Sequence, residues 1–153
     1  MAKYYNASIR NLVYRLRKFK PVLENALREE IENYSDFLTD AVRIQLDMGM
    51  DGYYDKIQPP YAPRTIKNKI RKGQPTDRVT LKDTGKFYDS LHVEFDEGGF
   101  RIVSNDNKAV HLINKYGEPI LRLPNEDLTR FLRFWIRPAL AERMKEYIEN
   151  GRT

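Results

Sequence analysis

Apolar residues recur at helical spacing through the first third of the chain. Ile9, Leu12, Val13 and Leu16 lie three and four positions apart and predict a helix over about residues 8–19, with Asn6 or Ser8 as its cap. Pro21 suits the first turn of a second helix, where its missing N–H would have had no partner. Leu23, Leu27, Ile31, Tyr34, Phe37, Leu38, Ala41 and Val42 carry that helix to about Leu46, and Glu24 with Arg28 adds a favourable i,i+4 pair. Gly49 or Gly52 ends it.

From residue 51 to residue 80 the pattern breaks. Pro59, Pro60, Pro63, Gly73 and Pro75 interrupt everything except a short helix over residues 65–70. A hairpin follows: Leu91, Val93 and Phe95 alternate with His92 and Glu94, Gly98-Gly99 makes the turn, and Phe100 and Ile102 alternate with Arg101 and Val103 on the return. Residues 109–113 read as a third strand leading to Tyr116-Gly117, although periodicity also permits a short helix. The last element starts near Asn125, carries Leu128, Phe131, Leu132 and Trp135 on one face, is kinked or split by Pro138, and ends near Gly151.

This order predicts an α+β fold with N-terminal helices, a small antiparallel sheet with a hairpin, and a kinked C-terminal helix. A chain of 153 residues is read as one domain, 1–153, comprising a helical region 8–48, an extended basic arm 51–80, and a sheet with its C-terminal helix over 81–150. Long irregular connections of this kind are usually functional arms or partly disordered segments. Tyr53, Tyr54 and Tyr61 in the arm are read as either core packing or interface anchors, since tyrosine serves both.

Composition narrows the chemistry. With 41% hydrophobic and 32% charged residues the chain should fold, and with no cysteine it can form neither a disulfide nor a thiolate metal site. The first residues lack the apolar run of a signal peptide and no stretch approaches the ~20 apolar residues of a membrane span, so the expectation is a protein without membrane association. Nine Lys and Arg stand against five Asp and Glu over residues 51–90, and Arg64, Lys67, Lys69, Arg71 and Lys72 fall within nine residues without an acid. That segment is either a solvated charged face or a contact for nucleic-acid phosphates without sequence preference. Flanking prolines and glycines predict that residues 67–72 are mobile until a partner orders them.

The most specific segment is Leu81-Lys82-Asp83-Thr84-Gly85-Lys86-Phe87-Tyr88-Asp89-Ser90-Leu91. Asp83-Thr84-Gly85 matches the aspartic-protease triplet, in which two aspartates share a proton across a dimer. Lys82 and Lys86 on either side would hold such carboxylates ionised, against that mechanism. The plainer reading is that Asp83 or Thr84 caps a short helical turn, Gly85 takes a conformation that other residues resist, and Phe87 and Leu91 point one way. No nucleophile with a base, phosphate-binding glycine loop or metal cluster emerges from the pattern, so no catalytic residue, metal or cofactor is expected. His92 and His111 are read as packed or surface residues.

These segments resemble the phage virion morphogenesis or tail-completion proteins and the related tail-to-head joining proteins. That family's pattern runs from an aromatic residue or Leu through Ser/Ala-Pro-x-Thr-Ile-x-x-Lys and a basic loop to Leu-x-Asp-Thr-Gly-x-Leu-x-x-Ser-Leu/Ile. It is similar to Tyr61-Ala62-Pro63-Arg64-Thr65-Ile66-Lys67-Asn68-Lys69 followed by residues 81–91, with Phe87 in place of Leu. A looser likeness runs through residues 109–117 into the C-terminal helix. The motif positions are Pro63, Thr65, Asp83, Thr84, Gly85, Ser90 and Gly117. The resemblance implies a non-enzymatic virion subunit, assembled in the bacterial host cytoplasm, that completes the neck or tail as a closed homo-oligomeric ring of six subunits or a multiple of six. Its expected neighbours are other neck, portal-side or tail proteins, with non-specific contact to packaged DNA. A stand-alone nucleic-acid-binding protein is the alternative, and a dimeric aspartic protease a distant third.

Overall fold

The computed structural model describes residues 9–150 and divides them into two compact units, residues 33–131 and residues 9–32 with 132–150. Helix α1 (Ile9–Asn33) runs straight through Pro21, and helix α2 (Ser35–Asp47) begins after a break at Tyr34, whose φ of −105° and ψ of 15° leave the helical region. The expected boundary at Pro21 is therefore displaced by thirteen residues. A proline inside a helix removes one backbone hydrogen bond and crowds the preceding turn. Here that cost is carried by the turns that follow, in which Ala26 and Ile31 are buried. The caps expected at Asn6 or Ser8 and at Gly151 lie outside the described residues.

Within the smaller unit, α1 faces the C-terminal helix: Phe19 and Tyr147 have ring centroids 4.8 Å apart, and Arg143 donates to Glu29 at 3.3 Å. A rise from residue 19 to residue 29 in one helix is matched by a fall from 147 to 143 in the other, as in an antiparallel pair.

The larger unit is built on α2. Leu38, Val42 and Leu46 at four-residue spacing have no exposed surface, and α2 packs against the first hairpin strand. Gly49 follows the helix with φ of 76° and stops it, as expected. Gly52 then passes so close to Arg122 that its amide reaches the Pro119 carbonyl at 2.9 Å.

The connection that follows is not an extended arm. It contains helix α3 (Pro63–Arg71), with Pro63 at its first position, and folds back upon residues 80–85. A single turn, α4 (Lys86–Asp89), leads into strands β1 (Leu91–Asp96) and β2 (Gly99–Ser104). The strands pair antiparallel, with Leu91 opposite Ser104 and Asp96 opposite Gly99, so the connecting residues are Glu97 and Gly98 rather than Gly98 and Gly99. Val93 with Ile102 and Phe95 with Phe100 share one face, while Glu94 and Arg101 form an ion pair at 2.7 Å on the other.

Residues 109–113 belong to helix α5 (Ala109–Tyr116), not to a third strand. Among the described residues the sheet has two strands. Asp106 sets the start of α5: its carboxylate accepts the Lys108 amide at 2.6 Å and its carbonyl the Ala109 amide at 2.9 Å. A 3-10 turn over Glu118–Leu121 buries Ile120 completely, and helix α6 (Asn125–Phe131) starts at the expected residue. The α+β class is thus observed: among the described residues, six α-helical segments and a two-stranded antiparallel sheet precede the C-terminal helix.

After α6 the chain makes a π-helical turn (Leu132–Ile136) before helix α7 (Arg137–Asn150). Pro138 accounts for the irregularity, since its ring displaces the carbonyl four residues earlier and no amide is present to bond it. Among the described residues no helix is long and apolar enough to cross a membrane.

Candidate functional site

The two segments that carry the strongest motif signal meet in the larger unit, and the Tyr61 hydroxyl is the joint. It accepts the amides of Thr80 at 2.9 Å and Leu81 at 3.0 Å and lies 3.4 Å from the Thr80 hydroxyl. Thr80 and Leu81 are buried, and Leu81 holds a φ of 56°, a region a branched side chain enters at a cost. The neighbouring carbonyl of Thr80 accepts the Tyr88 hydroxyl at 2.5 Å. Burial, and then the negative charge of Asp47, raise the Tyr88 phenol well above its ordinary pKa, so it remains a donor.

Lys69 makes the second tie. It is 5% exposed, and its ammonium donates to the Lys82 carbonyl at 2.6 Å and to Gln74 Oε1 at 3.2 Å while lying 4.9 Å from the Tyr61 ring centroid. A buried lysine is tolerable when carbonyl oxygens and an aromatic face replace its water. Lys72 makes the third by pairing with Asp83. That hydrogen bond, with added attraction from Lys108 and Lys69, holds the Asp83 carboxyl below the usual carboxylate range. Within residues 67–72, Lys69 and Lys72 thus find partners inside the chain, where the sequence led us to expect a segment that awaits an external one. The cations at the end of α3, Lys69 and Arg71, also oppose the negative end of the helix dipole.

Gly85 turns the chain into α4 with φ of 90°, the left-handed conformation expected of it. Thr84 approaches the Lys86 amide at 3.5 Å, while Phe87 and Leu91 are both buried. Ser90 donates to the Phe87 carbonyl at 2.9 Å and lies 2.6 Å from the Ser104 hydroxyl, fastening α4 to the end of β2.

Between α3, the loop 81–85 and α5 lies an open cleft of about 500 Å³. Thr65, Asn68 and Lys69 of α3 and Lys72 just after it line one side, and Lys108, His111, Leu112 and Lys115 the other. Both sets follow the i, i+3, i+4, i+7 spacing of one helix face. Arg71 and Lys82 complete a lining of six cations against the carboxylates of Asp83 and Asp106, an excess of four positive charges.

The remaining sequence candidates lie elsewhere. Pro63 starts α3, Arg64 and Lys67 are exposed but outside the cleft, and Gly117 joins α5 to the 3-10 turn. Tyr53 carries the Arg122 guanidinium 4.7 Å from its ring centroid, and the Tyr54 hydroxyl donates to Asp127 at 2.9 Å. Tyr53 borders a second cavity of about 550 Å³, which Phe100, Ile113 and Leu128 also line. Lys69 leaves the set of interface candidates because its ammonium is consumed internally. Lys82, Lys108, His111 and Lys115 enter the site without having been singled out for it. Reading residues 109–113 as a strand hid their common face; the spacing of Lys108, His111 and Lys115 was the available signal.

Comparison with protein-family models, with curated proteins and with solved structures finds no match to this chain.

Proposed function

We propose that the chain is a non-catalytic structural subunit of a tailed phage or prophage particle, a tail-completion or neck protein that works as a closed ring of identical subunits. The observation that carries this reading is the union of the two motif segments. Tyr61 with Thr80 and Leu81, Lys69 with Lys82, and Lys72 with Asp83 join residues 61–72 to residues 80–83 as one local structure. This local structure supports reading the two segments as one unit, as the resemblance has them. Asp83 has the same character: ionised and paired with a lysine, it does not suit the shared proton of an aspartic protease.

Assembly as a ring requires two different surfaces on each subunit, one for each neighbour. Large apolar side chains stand exposed on separate elements of the larger unit: Ile44 (61%) on α2 and Met48 (50%) just after it, Ile70 (64%) on α3 and Val110 (69%) on α5. Native mass spectrometry and negative-stain images of the purified protein test the proposal. The expected result is a closed homo-oligomer that Ile44→Glu or Val110→Glu dissociates into folded monomers. A monomeric mass from micromolar to near-millimolar concentration, with no ring in particles, overturns it. Peptide hydrolysis abolished by Asp83→Asn would replace it with the protease.

A further inference from the structure

We infer that the cleft between α3 and α5 is a binding site for the phosphate backbone of nucleic acid, with Lys108, His111 and Lys115 forming one wall and Lys72, Asn68 and Thr65 the other. The inference is independent of ring assembly, because the cleft is complete within one subunit.

Three features define the ligand. The lining has four excess positive charges; Lys69 is held by carbonyl oxygens and Lys72 by Asp83, and among the described residues no ion pair to a carboxylate holds Arg71, Lys82, Lys108 or Lys115. Its donors come from the faces of two separate helices on opposite sides of the cleft rather than from one loop. Each set extends over seven residue steps, about 10 Å at 1.5 Å per residue, which is roughly three phosphate rises of ~3.4 Å measured along the axis of a duplex. A small anion would be served by converging donors, whereas sets of this length match a chain of regularly spaced charges. Finally, Thr65 and Asn68 intersperse neutral donors among the cations, as is usual where phosphate oxygens are held without reading bases. The arrangement implies affinity without sequence preference.

Asp83 gives the inference a signed consequence. It neutralises Lys72 at the edge of the cleft. Asp83→Asn removes a negative charge and releases that ammonium, so it should tighten nucleic-acid binding rather than weaken it.

Fluorescence anisotropy of the full chain with labelled 30-base-pair duplexes of two unrelated sequences, from ~50 to ~200 mM salt, tests this. Both duplexes should bind with equal affinity. Lys108→Gln with Lys115→Gln should lower the slope of log affinity against log salt by about 2, since each phosphate contact contributes about 0.9. Arg64→Gln with Lys67→Gln, outside the cleft, should keep most of the slope, and Asp83→Asn should bind several-fold more tightly. Circular dichroism melting of each variant establishes that it is folded; a variant that is not is replaced by Lys108→Arg with Lys115→Arg, which should retain binding. No binding at the lowest salt, equal losses from both double variants, or displacement by polyglutamate as effective as by unlabelled duplex would overturn the assignment.

Discussion

Replacing Tyr61 by Phe removes one oxygen atom and almost nothing else. The ring remains to face the Lys69 ammonium, and no cavity opens. The hydroxyl, however, accepts two amide hydrogens, from Thr80 at 2.9 Å and Leu81 at 3.0 Å, in residues only 1% and 8% exposed. A buried amide left without an acceptor costs about 1–3 kcal/mol. Tyr61 itself is half-buried, so water can reach part of the site and the lower part of that range applies to each. Leu81 also sits at φ of 56°, and loosening the turn releases some of its strain. The net expectation is a loss of about 2–3 kcal/mol, or a fall in Tm of roughly 4–12 °C for a chain of this size. Urea denaturation and thermal melting measure it. Tyr53→Phe is the control, because the Tyr53 hydroxyl accepts only an exposed 3.3 Å bond from Arg122 and should cost less than ~0.5 kcal/mol. Equal, small effects for both variants would refute the claim that Tyr61 joins the two motif segments.

Gly85→Val should cost more than ~1 kcal/mol in the same assay. An added Cβ there meets only Asp89 Oδ2 at 3.4 Å, so the penalty is that of φ +90° and Gly85→Asn should recover part of it. Gly52→Ala acts by contact instead: its Cβ would lie 2.4 Å from the Arg122 carbonyl oxygen, and the expected loss is about 1–3 kcal/mol, read from the urea midpoint. Asp83→Asn should change stability by well under ~1 kcal/mol, because the Lys72 pair is half-exposed and screened. The Asp83 pKa is depressed in the folded state by the Lys72 hydrogen bond, so its contribution is present above the ordinary value of about 3.9 and lost as pH falls through the lower folded value. The difference between wild type and Asp83→Asn in urea should accordingly vanish in acid, and a difference that grows there would contradict the sign.

Where periodicity and burial coincide, the sequence was a sufficient guide. Leu38, Val42 and Leu46 repeat every four residues and form the buried side of α2; alternation across residues 91–103 located the hairpin; Asn125 marked the start of α6. The errors arise where a local rule met a tertiary compensation. Pro21 is a fair helix start by its own chemistry, yet α1 passes through it and breaks at Tyr34, where the sequence has neither glycine nor proline. Basic density and flanking prolines argued that residues 67–72 lacked a stable conformation. They did not reveal that Lys69 would find a carbonyl thirteen residues ahead and an aromatic ring eight residues behind.

The site was legible only on one side for a related reason. The α3 wall and the loop 81–85 are continuous with strong motifs, so their residues could be named from the chain alone. The α5 wall depends on conformation: as a strand, residues 109, 111 and 113 would share a face and Lys115 would extend it without Lys108, whereas the helix brings 108, 111 and 115 together. Asp106 favours the helix by holding the turn before it, its carboxylate accepting the Lys108 amide and its carbonyl the Ala109 amide. The turn Asn105-Asp106-Asn107, which reads as a plain connection, therefore determines whether the positive charges of this region form a cleft or scatter over two faces. Charge in the basic segment was visible from composition, but the wall that faces it depended on where α5 starts and so on the conformation of residues 105–109.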